Sequence, residues 1–349
     1  MNNLRQSFKN QIWAAEWVII GYIAFTLILM ACWWDRLVNP VEMLWMRGRV
    51  LLIMGGLWLL YRWKPCKLTR LIRVTGLMLL LSWFYPDTYE VNRVLPNLDY
   101  VFATWEQQLF GCQPSLLFSQ VCPWGWFSEL MCLGYVSYFP LMVTILLYYF
   151  FRRYEEFGTA SFVLISSFFV YYTVFVVLPV TGPQFYYLAV GTDKIAAGIF
   201  PDLGHWFLTH SERMAAPGWS DGFWYHMLDI THDAGERPTA AFPSSHVGVT
   251  TVIMLLALRT RSKILTLSML PFYLLMCFST VYIYAHYVID AMAGLVTGIL
   301  VYFGLIFLAK KKRNSAEFRI FVNLKSNTMK NTWQSYEHSV NLQVLPFKK

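Results

Sequence analysis

The uncharged stretch ILTLSMLPFYLLMCFSTVYIYA, residues 264–285, decides the fold class. A helix needs roughly 20 mainly apolar residues to cross the hydrocarbon core of a bilayer, and this stretch reaches that length. A second apolar run of similar length, residues 291–309, follows almost at once. The two runs predict a pair of membrane-spanning helices joined by a short turn that contains His286 and Asp290.

Further apolar runs predict an all-α, polytopic membrane bundle of eight spans. They lie at residues 17–34, 50–61, 74–85, 130–151, 158–180, 243–258, 264–285 and 291–309. The second and third runs are short, and they cross a bilayer only if flanking arginines snorkel to the interface. The composition agrees, because 57% of the chain is hydrophobic and 14% is charged. Soluble domains have about 45–50% apolar and about 25% charged residues.

The distribution of Lys and Arg predicts the orientation. An even number of spans puts both termini on one side of the membrane, and most basic residues fall on that side, in clusters at 62–73, 152–153, 259–263 and 310–349. The positive-inside rule then predicts cytoplasmic termini and an extracytoplasmic or lumenal position for the His286 turn. The net charge of +8 therefore indicates contact with anionic lipid at the inner leaflet and no nucleic-acid partner.

We expect three parts along the chain: an N-terminal transmembrane addition at 1–69, a catalytic membrane domain at 70–309 and a basic cytoplasmic tail at 310–349. Residues 97–123 carry apolar side chains at helical spacing. They predict either an amphipathic helix in the membrane interface or a connecting loop with one buried face. Cys112 and Cys122 in this segment could form a disulfide in an oxidising compartment or remain free thiols.

Three ionisable residues at helix ends are the candidate catalytic groups. His246 follows Pro243-Ser244-Ser245 at the start of the sixth span, while His286 and Asp290 lie between the seventh and the eighth. Ionisable side chains are costly in membranes and are functional candidates by default. The four-residue spacing puts His286 and Asp290 on one helix face, where a carboxylate can orient the imidazole and make its other nitrogen a nucleophile.

The same region offers groups that could bind phosphate. Free N–H groups at a helix start near Ser244 and Ser245 can bind an anion, and Arg237 carries a forked guanidinium. His246 could protonate a leaving oxygen. A second cluster, His226, Asp229, His232 and Asp233, suggests either a metal site or ordinary solvated side chains.

The two segments together resemble motifs of the type 2 phosphatidic acid phosphatase superfamily, which includes vanadium haloperoxidases. Pro243-Ser244-Ser245-His246 is similar to its Pro-Ser-x-His motif, and Ser279, His286 and Asp290 match its third motif. The resemblance implies a six-helix core and a metal-free phosphohistidine mechanism. His286 would attack phosphorus, Asp290 would orient it, and His246 would protonate the leaving group. Two positions depart from the pattern, since residue 280 is Thr where the family has Arg and residue 230 is Ile where it has Lys.

These departures resemble the inositol phosphorylceramide synthase branch of that superfamily. The matching residues are those from Ala241 to His246, then Ser279, Thr280, Tyr282, His286, Tyr287, Asp290, Ala293 and Gly294. This resemblance implies transfer of a phospho-head group from a phospholipid donor to a ceramide-like lipid alcohol, without a cofactor. Two other hypotheses remain: a lipid phosphate phosphatase that uses water as acceptor, and a non-enzymatic transporter or scaffold.

Overall fold

The structure, a computed structural model, describes residues 11–311, and all regular secondary structure within that range is helical. The α-helices are α1 (Ala14–Trp33), α2 (Pro40–Trp63), α3 (Lys67–Asn92), α4 (Asp99–Phe110), α5 (Pro114–Val121), α6 (Gly125–Val136), α7 (Tyr138–Arg152), α8 (Tyr154–Val177), α9 (Pro183–Val190), α10 (Thr192–Ala196), α11 (Phe223–Asp233), α12 (Ser245–Arg259), α13 (Lys263–Tyr282) and α14 (Val288–Lys311). The chain divides into two compact units, Met1–Phe303 and Gly304–Lys349. The predicted tail lies outside the described range except for Lys310 and Lys311.

Each of the eight predicted spans corresponds to helical structure, and the polytopic helical fold is confirmed. Within residues 11–311, six helices are long and apolar enough to cross a membrane: α1, α2, α3, α8, α13 and α14. The other two predicted spans differ from simple crossing helices. The fourth is the pair α6 and α7, bent by 43° at its break, and the sixth is α12, which has only 15 residues.

Two buried ion pairs join the first three helices. The guanidinium of Arg47 in α2 donates to both carboxylate oxygens of Asp87 in α3, at 3.0 and 2.8 Å. Arg73 in α3 donates to Glu16 in α1 at 2.7 and 2.5 Å. The assignment of Arg73 to a loop, as part of the basic cluster at 62–73, was therefore wrong: Arg73, like Arg47, lies inside a helix and is buried. Charges at such depth need partners, and these pairs provide them.

Helix α4 buries acidic residues and exposes apolar ones. Asp99, Phe102, Ala103 and Glu106 form its buried face, whereas Trp105 is 53% exposed. The carboxylate of Asp99 accepts from the N–H groups of Thr181 and Gly182 at 2.7 and 2.8 Å. The predicted helix thus exists, but its buried face combines the apolar Phe102 and Ala103 with the acidic Asp99 and Glu106, and this face contacts the segments that carry the candidate site.

The segment from 182 to 242, which joins the fifth and sixth predicted spans, contains α9, α10 and α11. Gly182 begins it with a φ of +91°, and a side chain there would collide with the carbonyl oxygen of Ala285. The N–H of Ala241 donates to the carbonyl oxygen of Val180 at 3.0 Å. These close backbone contacts bring the segments before His246 and His286 together.

Helices α12 and α14 approach each other closely. The N–H of Ser244 donates to the carbonyl oxygen of Asp290 at 3.0 Å. A side chain at Gly294 would meet the Ser244 carbonyl, and one at Gly298 would meet the backbone of Gly248. Small residues spaced by four positions allow membrane helices such contact. The two histidine-bearing segments are therefore held by main-chain packing.

Candidate active site

His246 lies in the first turn of α12 between two tyrosines. The Ser244 hydroxyl caps the helix by accepting from the N–H of Val247 at 3.3 Å. The ring centroid of His246 is 4.6 Å from that of Tyr135 and 4.7 Å from that of Tyr138. The break between α6 and α7 falls between these tyrosines, and the bend lets both rings reach the imidazole.

The imidazole of His286 is oriented by a backbone carbonyl. Its Nδ1 lies 2.8 Å from the carbonyl oxygen of Ala241, and its backbone N–H donates to the carbonyl of Thr280 at 2.9 Å. A carbonyl oxygen can only accept, so Nδ1 carries the hydrogen and Nε2 of the neutral ring keeps a lone pair. That Nε2 faces Nδ1 of His246 at 3.5 Å. The expected two-histidine pair is therefore present in the geometry.

Asp290 is close to His286, but no direct hydrogen bond joins the two side chains in this structure, so its orienting role stays a prediction. Its Oδ2 lies 3.7 Å from Nδ1 of His286 and accepts instead from the N–H of Tyr287 at 2.9 Å. This bond from the third residue of α14 back to the residue before the helix is a capping contact. The reason is local: the Ala241 carbonyl already occupies Nδ1. Asp290 acts on the ring through its charge and through the shape of the turn.

Burial keeps the ring of His286 uncharged. Only 3% of the residue is exposed, and this burial lowers its pKa to about 4, while the nearby Glu236 partly opposes the shift. At neutral pH the imidazole is therefore unprotonated and its Nε2 is available for nucleophilic attack. Burial also raises the pKa of Glu236, whose Oε1 accepts from Gln184 at 3.1 Å and from Tyr85 at 3.3 Å.

The predicted phosphate-binding residues are placed less favourably. Ser244 uses its hydroxyl as the α12 cap, and Ser245 is buried beside it. Arg237 is exposed, and the hydrogen bond recorded for its guanidinium goes to the carbonyl of Glu236 at 2.8 Å. Thr280, which replaces the family arginine, is buried and donates to the carbonyl of Cys277 at 3.2 Å. Their roles in binding phosphate stay predictions.

The acidic residues of the polar cluster on α11 pair with an arginine. Asp229 and Asp233 bind the guanidinium of Arg213, at 2.7 and 3.0 Å. Over residues 11–311, no group of three or more His, Cys, Asp or Glu side chains is arranged to hold a metal ion. Cys112 and Cys122 are both free thiols, so the possible disulfide is not formed in this structure.

Several residues around the histidines were not predicted. Tyr135 and Tyr138 were hidden in an apolar run, where aromatic side chains are ordinary. Glu236 sits next to Arg237-Pro238, and its position directly before a family-like motif was the available signal. Glu106 lies far away in sequence, yet its Oε2 accepts from the N–H of Ile289 at 3.3 Å. No local pattern indicated that contact.

The comparison with known proteins agrees with this geometry. A family profile described as the PAP2 superfamily matches residues 101–304, more than half of the chain. The chain therefore belongs to the PAP2 superfamily, and it is a multi-pass membrane protein with phosphatase- or phosphotransferase-type chemistry on lipid phosphates. The match begins within α4 and leaves α1, α2 and α3 outside. Curated proteins and solved structures give no significant match.

Proposed function

We propose that this protein is a lipid phosphotransferase that moves a phospho-head group from a phospholipid to a ceramide-like lipid alcohol. The observation that carries the proposal is the pair of histidines, whose Nε2 and Nδ1 atoms face each other at 3.5 Å. Such a pair can supply a nucleophile and a general acid for one phosphorus centre. The burial of His286 supports a lipid alcohol rather than water as the acceptor.

The chemistry would proceed in two balanced steps. Nε2 of His286 attacks phosphorus and forms a P–N bond while the P–O bond to diacylglycerol breaks. His246 gives a proton to that leaving oxygen. The acceptor hydroxyl then attacks the same phosphorus and loses its proton to His246, and the P–N bond breaks. The products are diacylglycerol and a lipid that carries the phospho-head group, with both histidines restored.

An apolar groove beside the histidines supports a lipid substrate. Its volume is about 530 Å³, and it runs between α5, α13 and α14. Val247 follows His246 directly, Val288 comes two residues after His286, and both line this groove. An acyl chain in the groove would bring the phosphate of its own lipid close to both imidazoles. We further propose, from the loop charges, cytoplasmic termini and a site on the extracytoplasmic or lumenal face.

A transfer assay tests the proposal. The purified protein in liposomes receives labelled phosphatidylinositol with or without ceramide, and mass spectrometry identifies the products. We expect a phosphosphingolipid that forms only with ceramide, together with an equal amount of diacylglycerol. His286→Ala should stop both, while His226→Ala, a change of an exposed histidine on α11, should not. Release of inorganic phosphate from phosphatidic acid without any transfer would instead indicate a phosphatase.

A further inference from the structure

His232 in α11 is a third buried histidine near the pair. It is only 2% exposed, and neither of its ring nitrogens has a hydrogen-bond partner among residues 11–311. Its ring packs edge-on against Tyr135 with centroids 5.4 Å apart, and Tyr135 also contacts His246. Buried polar groups are nearly always hydrogen-bonded, so two unsatisfied nitrogens on one ring require an explanation. The ring of Tyr135 therefore lies between these nitrogens and His246, the candidate general acid.

A cation lies beside this histidine. The Arg213 side chain is 19% exposed, and Asp229 and Asp233 both bind its Nη2. Both carboxylates belong to α11, the helix that carries His232, so the guanidinium lies against that helix. Residues 280 and 230, where the superfamily pattern has cations, are Thr and Ile here. Arg213 is therefore a partly exposed arginine, paired with two carboxylates, that the motifs do not include.

The protonation of His232 defines what it can bind. Burial, and then the charge of Arg213, lower its pKa to about 3, so the ring is neutral at physiological pH. A neutral imidazole has one nitrogen that donates and one that accepts. A hydroxyl group satisfies both because it accepts and donates. A bare phosphate can only accept, and a quaternary ammonium group can do neither.

We propose that His232, Arg213 and Tyr135 form a subsite for the hydroxylated head group of the phospholipid donor. The inference rests on the proposed function and assigns the residue that selects the head group. Hydroxyls of the head group bond to the two nitrogens of His232, and the guanidinium of Arg213, whose charge Asp229 and Asp233 already balance, offers further N–H donors to neighbouring oxygens. His232 is then a specificity residue and takes no part in the transfer of protons.

A binding experiment on the full chain tests this subsite. The ligands are dioctanoyl phosphatidylinositol and dioctanoyl phosphatidic acid, which differ only in the head group, titrated calorimetrically into the detergent-solubilised His286→Ala protein. We expect His232→Phe on this background to weaken phosphatidylinositol binding about tenfold and to change phosphatidic acid binding less than about twofold. His226→Asn, the matched change of an exposed histidine on the same helix, should alter neither.

Thermal unfolding keeps the result interpretable. Phe replaces an imidazole that has two unsatisfied nitrogens, so the unfolding temperature of His232→Phe should stay constant or rise. Equal weakening of both lipids, or no change for either, would overturn the subsite. The proposed function is judged separately, by whether the unmodified protein releases diacylglycerol from phosphatidylinositol when ceramide is present. Head-group selectivity in binding without such release would refute the transfer and leave the subsite standing.

Discussion

His286 donates its Nδ1 hydrogen to the carbonyl oxygen of Ala241 at 2.8 Å, across 45 positions of sequence. A main-chain atom thus sets the tautomer of the candidate nucleophile, and the carboxylate of Asp290 stands 3.7 Å away. The carbonyl belongs to the main chain, so no side-chain substitution removes it. The orientation of the ring therefore depends on the contact between the segment that carries Ala241 and the turn that carries His286.

Because the carbonyl of Ala241 and not Asp290 holds Nδ1 of His286, we expect Asp290→Asn to lower the rate only moderately. The amide can still accept from the N–H of Tyr287, and the carbonyl of Ala241 still fixes the tautomer. We expect kcat for head-group transfer to fall by about tenfold, far less than the roughly 10⁴-fold loss where a carboxylate alone sets the tautomer. Steady-state kinetics that determine kcat and KM separately check this expectation. A 10⁴-fold loss would show that Asp290 takes the hydrogen bond during turnover, and an unchanged rate would deny it any role.

The pKa of His286 predicts the acid side of the pH profile. Burial lowers that pKa to about 4, so the ring stays neutral well below the ordinary value of about 6.5. The acid limb of kcat/KM should lie near pH 4, with activity lost as pH falls through it. Burial raises the pKa of Glu236 above its usual value, so this carboxyl is already protonated near pH 4, and Glu236→Gln should leave the limb nearly unchanged. A limb near 6.5 in the unmodified protein would contradict the burial argument.

Glu106 should act as a neutral hydrogen-bonding group. Burial raises its pKa to about 8, so the carboxyl is protonated at pH 7 and ionises as pH rises above 8. Glu106→Gln mimics the protonated form and keeps an acceptor for the N–H of Ile289. We expect nearly normal activity at pH 7 and less decline above pH 8. Glu106→Leu removes the acceptor and should lower activity at every pH. If Glu106→Gln lowered activity at pH 7 as much as Glu106→Leu, the enzyme would need the ionised form of Glu106.

The Arg47–Asp87 pair should show strong coupling in stability. Replacing one partner leaves a buried charge alone, so Arg47→Met should lower the free energy of unfolding by about 3–5 kcal/mol. The double change Arg47→Met with Asp87→Leu should recover most of that loss, because both charges are then absent. Unfolding of Arg47→Met, of Asp87→Leu and of the double variant in one detergent measures the coupling. Additive losses in the double variant would show that the two side chains act independently.

The apolar groove predicts selectivity for chain length. Leu295 lines the groove, and Leu295→Trp would fill part of its 530 Å³. We expect a KM several-fold higher for long-chain phosphatidylinositol and little change for the dioctanoyl lipid, since burial of each CH₂ contributes about 0.8 kcal/mol. Leu274→Trp, at an exposed position of α13 that does not line the groove, is the control. Equal effects of the two substitutions would indicate general disturbance of the bilayer contact.

The sequence predicted the helices well because each span leaves a long apolar run that needs no partner to be recognised. It also placed His246 and His286 at helix ends, since His246 begins one apolar run and His286 lies in the short turn between two others. It did not show that the carbonyl of Ala241, which comes from a distant loop, would occupy Nδ1 of His286 in place of Asp290. The predicted loop position of Arg73 was wrong, because a charge next to a short apolar run is assigned to a loop when its buried partner, here Glu16, is unknown.

The contact between α12 and α14 has a consequence for how the site withstands its surroundings. Gly294 and Gly298 meet Ser244 and Gly248 backbone to backbone, so neither helix can slide without breaking main-chain contacts. The distance between the two imidazoles is therefore fixed by the packing of α12 against α14. Changes in membrane thickness or lateral pressure would tilt the two helices together and leave that distance unchanged.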